Sequence, residues 1–149
     1  VSIESILEGR PKPLSVSPET PIRAAAEIMA SKRIGFLLVL NEDGSLFGVV
    51  SERDIVRDVG SGGDRYGERA VSGITTTSVQ TCDPGDDAHD VFDRMTAGKF
   101  RHMPVARSGT IEGVVSMSDL LRRFEEESSP EAKTKAFQAF FSGEAIPGG

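Results

Sequence analysis

The chain has 149 residues, 38% apolar and 6% aromatic without tryptophan, so it can bury one aliphatic core, or two small ones sharing an interface. A net charge of −6 disfavours nucleic-acid binding, which draws on Lys and Arg neutralising phosphates, but it leaves room for a local basic pocket. The lone cysteine, Cys82, closes no intrachain disulfide, no stretch approaches the roughly 20 apolar residues of a membrane span, and no leader pattern opens the chain, so a reducing cytoplasmic setting is expected.

Leu14-Ser15-Val16 reads as a short strand before Pro18. Ile22, Ala25, Ala26 and Met29 then follow i, i+3, i+4, i+7, one buried face of a helix. Two apolar runs, residues 36–40 and 46–50, flank a turn-like stretch and predict a β-hairpin. Ser51 opens a second helix through Ile55 and Val56. Gly60-Ser61-Gly62-Gly63-Asp64 reads as a linker, with a short helical turn expected between Tyr66 and Thr77.

The pattern then starts again. Ser78-Val79-Gln80-Thr81 is the strand, and Ala88, Val91, Phe92 and Met95 are the helix face. Residues 103–106 and 111–115 form the hairpin, and Ser116 opens a helix through Leu120 and Leu121. A last helix is expected from about Glu131 to Phe141, carrying Ala136, Phe137, Phe140 and Phe141 as a packing stripe, with Pro147-Gly148-Gly149 frayed. Pro18 matches Pro84, Met29 matches Met95 and Val39 matches Val105 at an offset of 66. Gly48-Val49-Val50-Ser51 matches Gly113-Val114-Val115-Ser116, and Asp54 matches Asp119, at an offset of 65. The lost residue falls between the two hairpin turns, where a deletion is cheapest. The expected fold is α/β: two intertwined β-α-β-β-α repeats, each with a three-stranded sheet and two helices. The expected boundaries are 1–60, a linker 61–73, 74–127, and a helical tail 130–149.

The strongest local signal is Gly-Val-Val-Ser-x-x-Asp, present twice where a strand enters a helix. A helix N-terminus attracts anions through its free N–H groups and dipole. Ser51 and Ser116 add a hydroxyl there, and the carboxylates of Asp54 and Asp119, three residues on, suit the two hydroxyls of a ribose. Ordinary helix capping is the better explanation of a single Ser-x-x-Asp; its doubling in register shifts the balance toward a ligand.

The order of elements, the two motifs, Met103-Pro104-Val105 and Ser51-Glu52-Arg53-Asp54-Ile55-Val56-Arg57 together resemble the CBS-domain family, whose members pair in tandem as Bateman modules. The resemblance covers about residues 1–125. It implies ligand clefts between the two repeats that take AMP or ATP first, then NAD(H), with S-adenosylmethionine behind them. It assigns ribose to Asp54 and Asp119 and phosphate to Ser51 and Ser116. Gly35 and Phe36 in the first repeat, and Phe100, Arg101, His102 and Met103 in the second, line the base or phosphate region. Thr77 falls at the base, and Ile74-Thr75-Thr76 departs from the usual Ile-Met, so that pocket differs in detail. Arg53 near the first motif corresponds to Ser118 near the second. Arg101 and His102 read as a cationic pair facing phosphate, or as solvated hairpin-edge residues.

The family likeness further implies a homodimer, an unknown downstream protein, and no nucleic-acid or membrane partner. Asp83, Asp86, Asp87, Asp90 and Asp93 with His89 are read as dipole-compensating residues, with no metal site. No activated nucleophile or acid–base pair is visible, so no catalytic residue is assigned and a regulatory sensor is expected. A structural dimerisation module with vestigial pockets is the alternative.

Overall fold

The apolar spacings become buried helix faces in both repeats. The computed structural model describes residues 1–62 and 67–127, together with 134, 135, 137 and 138. In α2 (Ile22–Lys32), Ile22, Ala25 and Met29 are buried; in α4 (Ala88–Gly98), Ala88, Val91, Phe92 and Met95 are buried. The remaining elements are α1 (Ile3–Leu7), β1 (Ser15–Val16), β2 (Phe36–Leu40), β3 (Leu46–Ser51), α3 (Glu52–Ser61), a single 3-10 turn (Val71–Gly73), β4 (His102–Arg107), β5 (Thr110–Ser116) and α5 (Met117–Glu127). Helix α3 runs through Gly60 and Ser61, which the sequence reading places in a linker. The expected C-terminal helix lies mostly outside the described residues; Thr134, Lys135, Phe137 and Gln138 within it are helical. Among the described residues no helix is long and apolar enough to cross a membrane.

The chain divides into two units. One comprises Pro13–Val79 with Gly109–Ile111. Its sheet has the order β1-β2-β3, with β1 parallel to β2 and β2 antiparallel to β3. Val16, Ala25, Met29, Leu37, Val39, Val50 and Val71 form its core. The other comprises Val1–Lys12, Gln80–Ser108 and the chain from Glu112. Its core gathers Ile3, Ile6, Val91, Phe92, Met95, Met103, Val105, Leu120 and Phe124 among others. Residues 1–12, counted with the first repeat from sequence, therefore pack in the unit of the second.

Backbone hydrogen bonds anchor each such segment. Ile3 and Glu4 donate to the carbonyls of Asp86 and Pro84, at 2.9 and 2.8 Å. Val71 and Ser72 donate to Thr20 and Pro18, at 2.7 and 3.0 Å. The acceptors of the two sets, Asp86 and Pro84 against Thr20 and Pro18, match at the offset of 66. Ile3 and Val71 are both fully buried.

The second unit corrects one expectation: its sheet has two strands, β4 and β5, and residues 78–81 form none. One isolated parallel bridge, Cys82 with Val105, stands in their place. Cys82 donates to Pro104, and Ala106 donates to Cys82. The next rung of a parallel ladder would need an N–H from residue 104 to the carbonyl of residue 80. Proline has none. The equivalent position in the first repeat is Leu38, which pairs with Ser15. The hairpins also differ. Ser108 and Gly109 both have positive φ, 51° and 82°, the signature of a two-residue type I′ turn. Residues 41–45 make a longer loop, in which the Asp43 carboxylate accepts from the Ser45 N–H and hydroxyl.

Both motif glycines mark close approaches. A Cβ on Gly48 would lie 2.3 Å from the Thr76 carbonyl oxygen, because Thr76 and Val49 exchange backbone hydrogen bonds. On Gly113 it would lie 2.9 Å from Cδ1 of Leu7. A leucine tip rotates away more cheaply than a backbone carbonyl shifts. Gly48→Ala is therefore expected to cost about 1–3 kcal/mol, and Gly113→Ala less, read from urea midpoints at unchanged slope.

Candidate functional site

Each motif builds a helix cap. Ser51 is extended (φ −113°, ψ 164°) and caps α3. Its N–H and hydroxyl donate to Oδ2 of Asp54 at 2.8 and 3.0 Å, and the Asp54 N–H donates to the Ser51 hydroxyl at 3.3 Å. Ser116 and Asp119 repeat the arrangement, with Ser116 N–H to Oδ2 at 2.8 Å and Asp119 N–H to Oγ at 3.1 Å. The capping explanation thus holds at both motifs. It does not exhaust the carboxylates, since each ionised carboxylate offers about four acceptor positions.

A further backbone bond brings the hairpin's entry beside each cap. Glu52 donates to the Gly35 carbonyl at 2.9 Å, and Phe36 pairs with Ser51 in the sheet. Met117 donates to the Arg101 carbonyl at 2.8 Å. The structure therefore brings Gly35 and Phe36 to Ser51 and Asp54, and Arg101 and His102 to Ser116 and Asp119. Arg53 and Ser118 are exposed on the first turns of their helices. Thr77 is exposed and follows Thr76, whose backbone is bridged to Val49. Met103 is a correction: it is fully buried in the second core, and Phe100 packs half-buried against the same core.

The two caps differ in charge and shape. Asp54 lines a cavity of about 500 Å³ with Arg57, Asp58, Ser61, Arg69 and Ile74. Asp58 is buried there, ion-paired to Arg69 through Oδ1, while its Oδ2 has no hydrogen-bond partner among the described residues. At the second cap, Arg10 grips Asp119 with a two-pronged bond, Nη1 to Oδ2 at 3.0 Å and Nη2 to Oδ1 at 2.9 Å. Burial pushes the Asp119 carboxyl up, but the bonds from Arg10 and Ser116 outweigh it and hold its pKa below the ordinary value. Sequence reasoning missed Arg10. It lies 109 residues from Asp119, in a segment without periodicity or motif.

At His102, burial pushes the pKa below the ordinary value; the Arg101 charge adds to this, and Asp119 opposes it, so its surroundings work against the charged form expected of a cationic pair. Burial, with help from Asp86, raises the Cys82 thiol to about 11, far from a nucleophile's range. The aspartates before α4 cap local backbone: Asp83 accepts from Gly85, Asp86 from Asp83, and Asp87 from His89.

The CBS domain family model matches residues 3–61 and 71–126. An uncharacterized 17.7 kDa protein of Acidianus ambivalens is 34% identical over 113 residues, which cover 72% of this chain and 64% of that protein. This chain thus spans under two thirds of that relative's length. The solved CBS-domain protein ATU1752 of Agrobacterium tumefaciens is 28% identical, with a TM-score of 0.74 over 83% of this chain and 98% of that one. CBSX2, solved in complex with AMP, shares the fold at 23% identity, with a TM-score of 0.76 over 86% of this chain and 99% of that one.

The depressed His102 pKa has a sign that solution measurements read. Below about pH 6.5 the unfolded imidazole binds a proton that the folded one resists. Stability is full above that pH and falls as pH drops toward the lowered folded value. Urea unfolding from pH 7.5 to 5 is expected to show a smaller acid-side loss for His102→Gln than for the parent.

Proposed function

The chain belongs to the CBS-domain family, and from that premise we propose that it is a non-catalytic regulatory module binding an adenine nucleotide at its Ser-x-x-Asp caps. AMP or ATP is the foremost ligand; NAD(H) follows, then S-adenosylmethionine. The observation that carries the reading is the pinning of each hairpin entry to a Ser-x-x-Asp cap. At the first cap, Ser51 satisfies Oδ2 of Asp54, and the other oxygen is left to accept from a ribose. The roughly 500 Å³ cavity beside it supports a ligand of that size. At the second cap, Arg101 supplies charge for a phosphate next to the N–H groups opening α5. The AMP complex of CBSX2, alike in fold, makes AMP the first ligand to try.

Signalling follows from differential binding. A ligand that favours one arrangement of the chain shifts its population, and a downstream protein reads that shift. The proposal includes a homodimer in the cytoplasm. Val56 and Val59, 68% and 45% exposed on α3, support a second copy as their cover. Those valines, with both carboxylates already engaged in caps, also favour the second reading, a dimerisation module whose pockets are vestigial.

Calorimetric titration of nucleotide-free protein with AMP, ATP, NADH and S-adenosylmethionine separates the two. The sensor reading expects at least one ligand to bind, Asp54→Asn and Asp119→Asn each to weaken its own cap about tenfold or more, and ATP to be recovered intact. Absence of binding by all four, with a stable dimer, would establish the dimerisation module instead.

A further inference from the structure

The fork between Arg10 and Asp119 occupies the carboxylate that the second cap offers to a ribose. Oδ2 of Asp119 takes Nη1 of Arg10 and the Ser116 N–H, and Oδ1 takes Nη2. The Asp119 side chain is 13% exposed, so few acceptor positions remain open. A ribose hydroxyl gains an oxygen there by displacing at least one prong of the fork. Among the described residues, no arginine takes the corresponding place at Asp54.

We propose that Arg10 is a specificity-determining residue of the second cap, making that cap select ligands that carry a phosphate. The proposal rests on the reading of Asp119 as a ribose acceptor. A guanidinium stays charged at any working pH, so Arg10 cannot relieve its displacement by losing a proton. It needs a new anionic acceptor that offers two oxygens. A phosphate does so, and two of its oxygens match the same two-pronged geometry. A nucleoside brings the diol that displaces Arg10 but nothing for Arg10 to hold, so it meets the fork as a competitor. A nucleotide exchanges one charge-assisted pair for another.

The local chain suits this exchange. Arg10 follows Gly9, which stands at φ +79° in open space among the described residues, and the Arg10 side chain is 36% exposed against 13% for Asp119. The aspartate is the fixed member, held by its cap; the arginine reaches in from solvent. Arg101, whose carbonyl accepts from Met117 at the start of α5, is a second basic residue of this cap.

The test compares AMP with adenosine in an Asp54→Asn background, where the second cap is the reporting site. With Arg10 present, AMP is expected to bind much more tightly than adenosine. Arg10→Met is expected to cut that preference about tenfold or more, in part by tightening adenosine, because the competitor is gone. Arg10→Lys keeps the charge without the fork. It is expected to fall between the two, which covers the case where Arg10→Met does not fold. A preference unchanged in both variants, with adenosine no tighter, would show Arg10 to be only a structural tie, and the nucleotide reading would stand. If neither ligand binds even the unaltered protein, the nucleotide reading and this proposal fall together.

Discussion

Four backbone N–H groups set the conditions under which everything else in this chain forms. Ile3 and Glu4 donate to the turn before α4, and Val71 and Ser72 donate to the turn before α2. Each pair places one fully buried aliphatic, Ile3 or Val71, in the core it joins. The segment leading into one repeat thus completes the core of the unit that holds the other. The donors on Ile3 and Val71 belong to fully buried residues, where an unpaired N–H is costly. The same lead-in segments press on the hairpins, Thr76 on Gly48 and Leu7 on Gly113. That is why the motif begins with glycine, a reason unrelated to any ligand.

The motif's serine and aspartate carry two duties at once. They close the helix N-terminus, and the closure aims the carboxylate at the hairpin entry. Because the cap holds the aspartate in place, the site needs no rearrangement of its own element to accept a donor. The two caps diverge through what surrounds them. One opens on a cavity where a buried Asp58 pairs with an exposed Arg69; the other is gripped by Arg10. The duplicated frame therefore holds two chemically distinct caps, and the differences lie outside the duplicated motif.

Much of this was legible in the sequence, because helix faces and hairpins are local and periodic. The buried set Ala88, Val91, Phe92 and Met95 emerges from spacing alone. The cap geometry was equally legible, since Ser and Asp three residues apart can do little else at a helix start. What escaped depends on contacts distant in sequence. Helix α1 is five residues long and has no periodicity to detect, and Arg10 finds its aspartate across most of the chain. The missing strand at residues 78–81 was readable in principle from Pro104, but only once the parallel register placed its absent N–H opposite Gln80. Met103 aligned with a lining position yet points into the core, because a strand alternates its faces residue by residue. At His102 burial works against the charged form, and a sequence does not show burial.

The single bridge that replaces a strand has a practical side. Cys82 sits on it, 4% exposed, with a thiol that burial keeps protonated. The folded state therefore shields the chain's sole sulfhydryl both sterically and chemically. An alkylating reagent reaches it only when the edge of β4 opens, so the speed of modification becomes a clock for breathing motions at that edge. The protein carries its own probe of local opening, with no label to introduce and no competing thiol to silence.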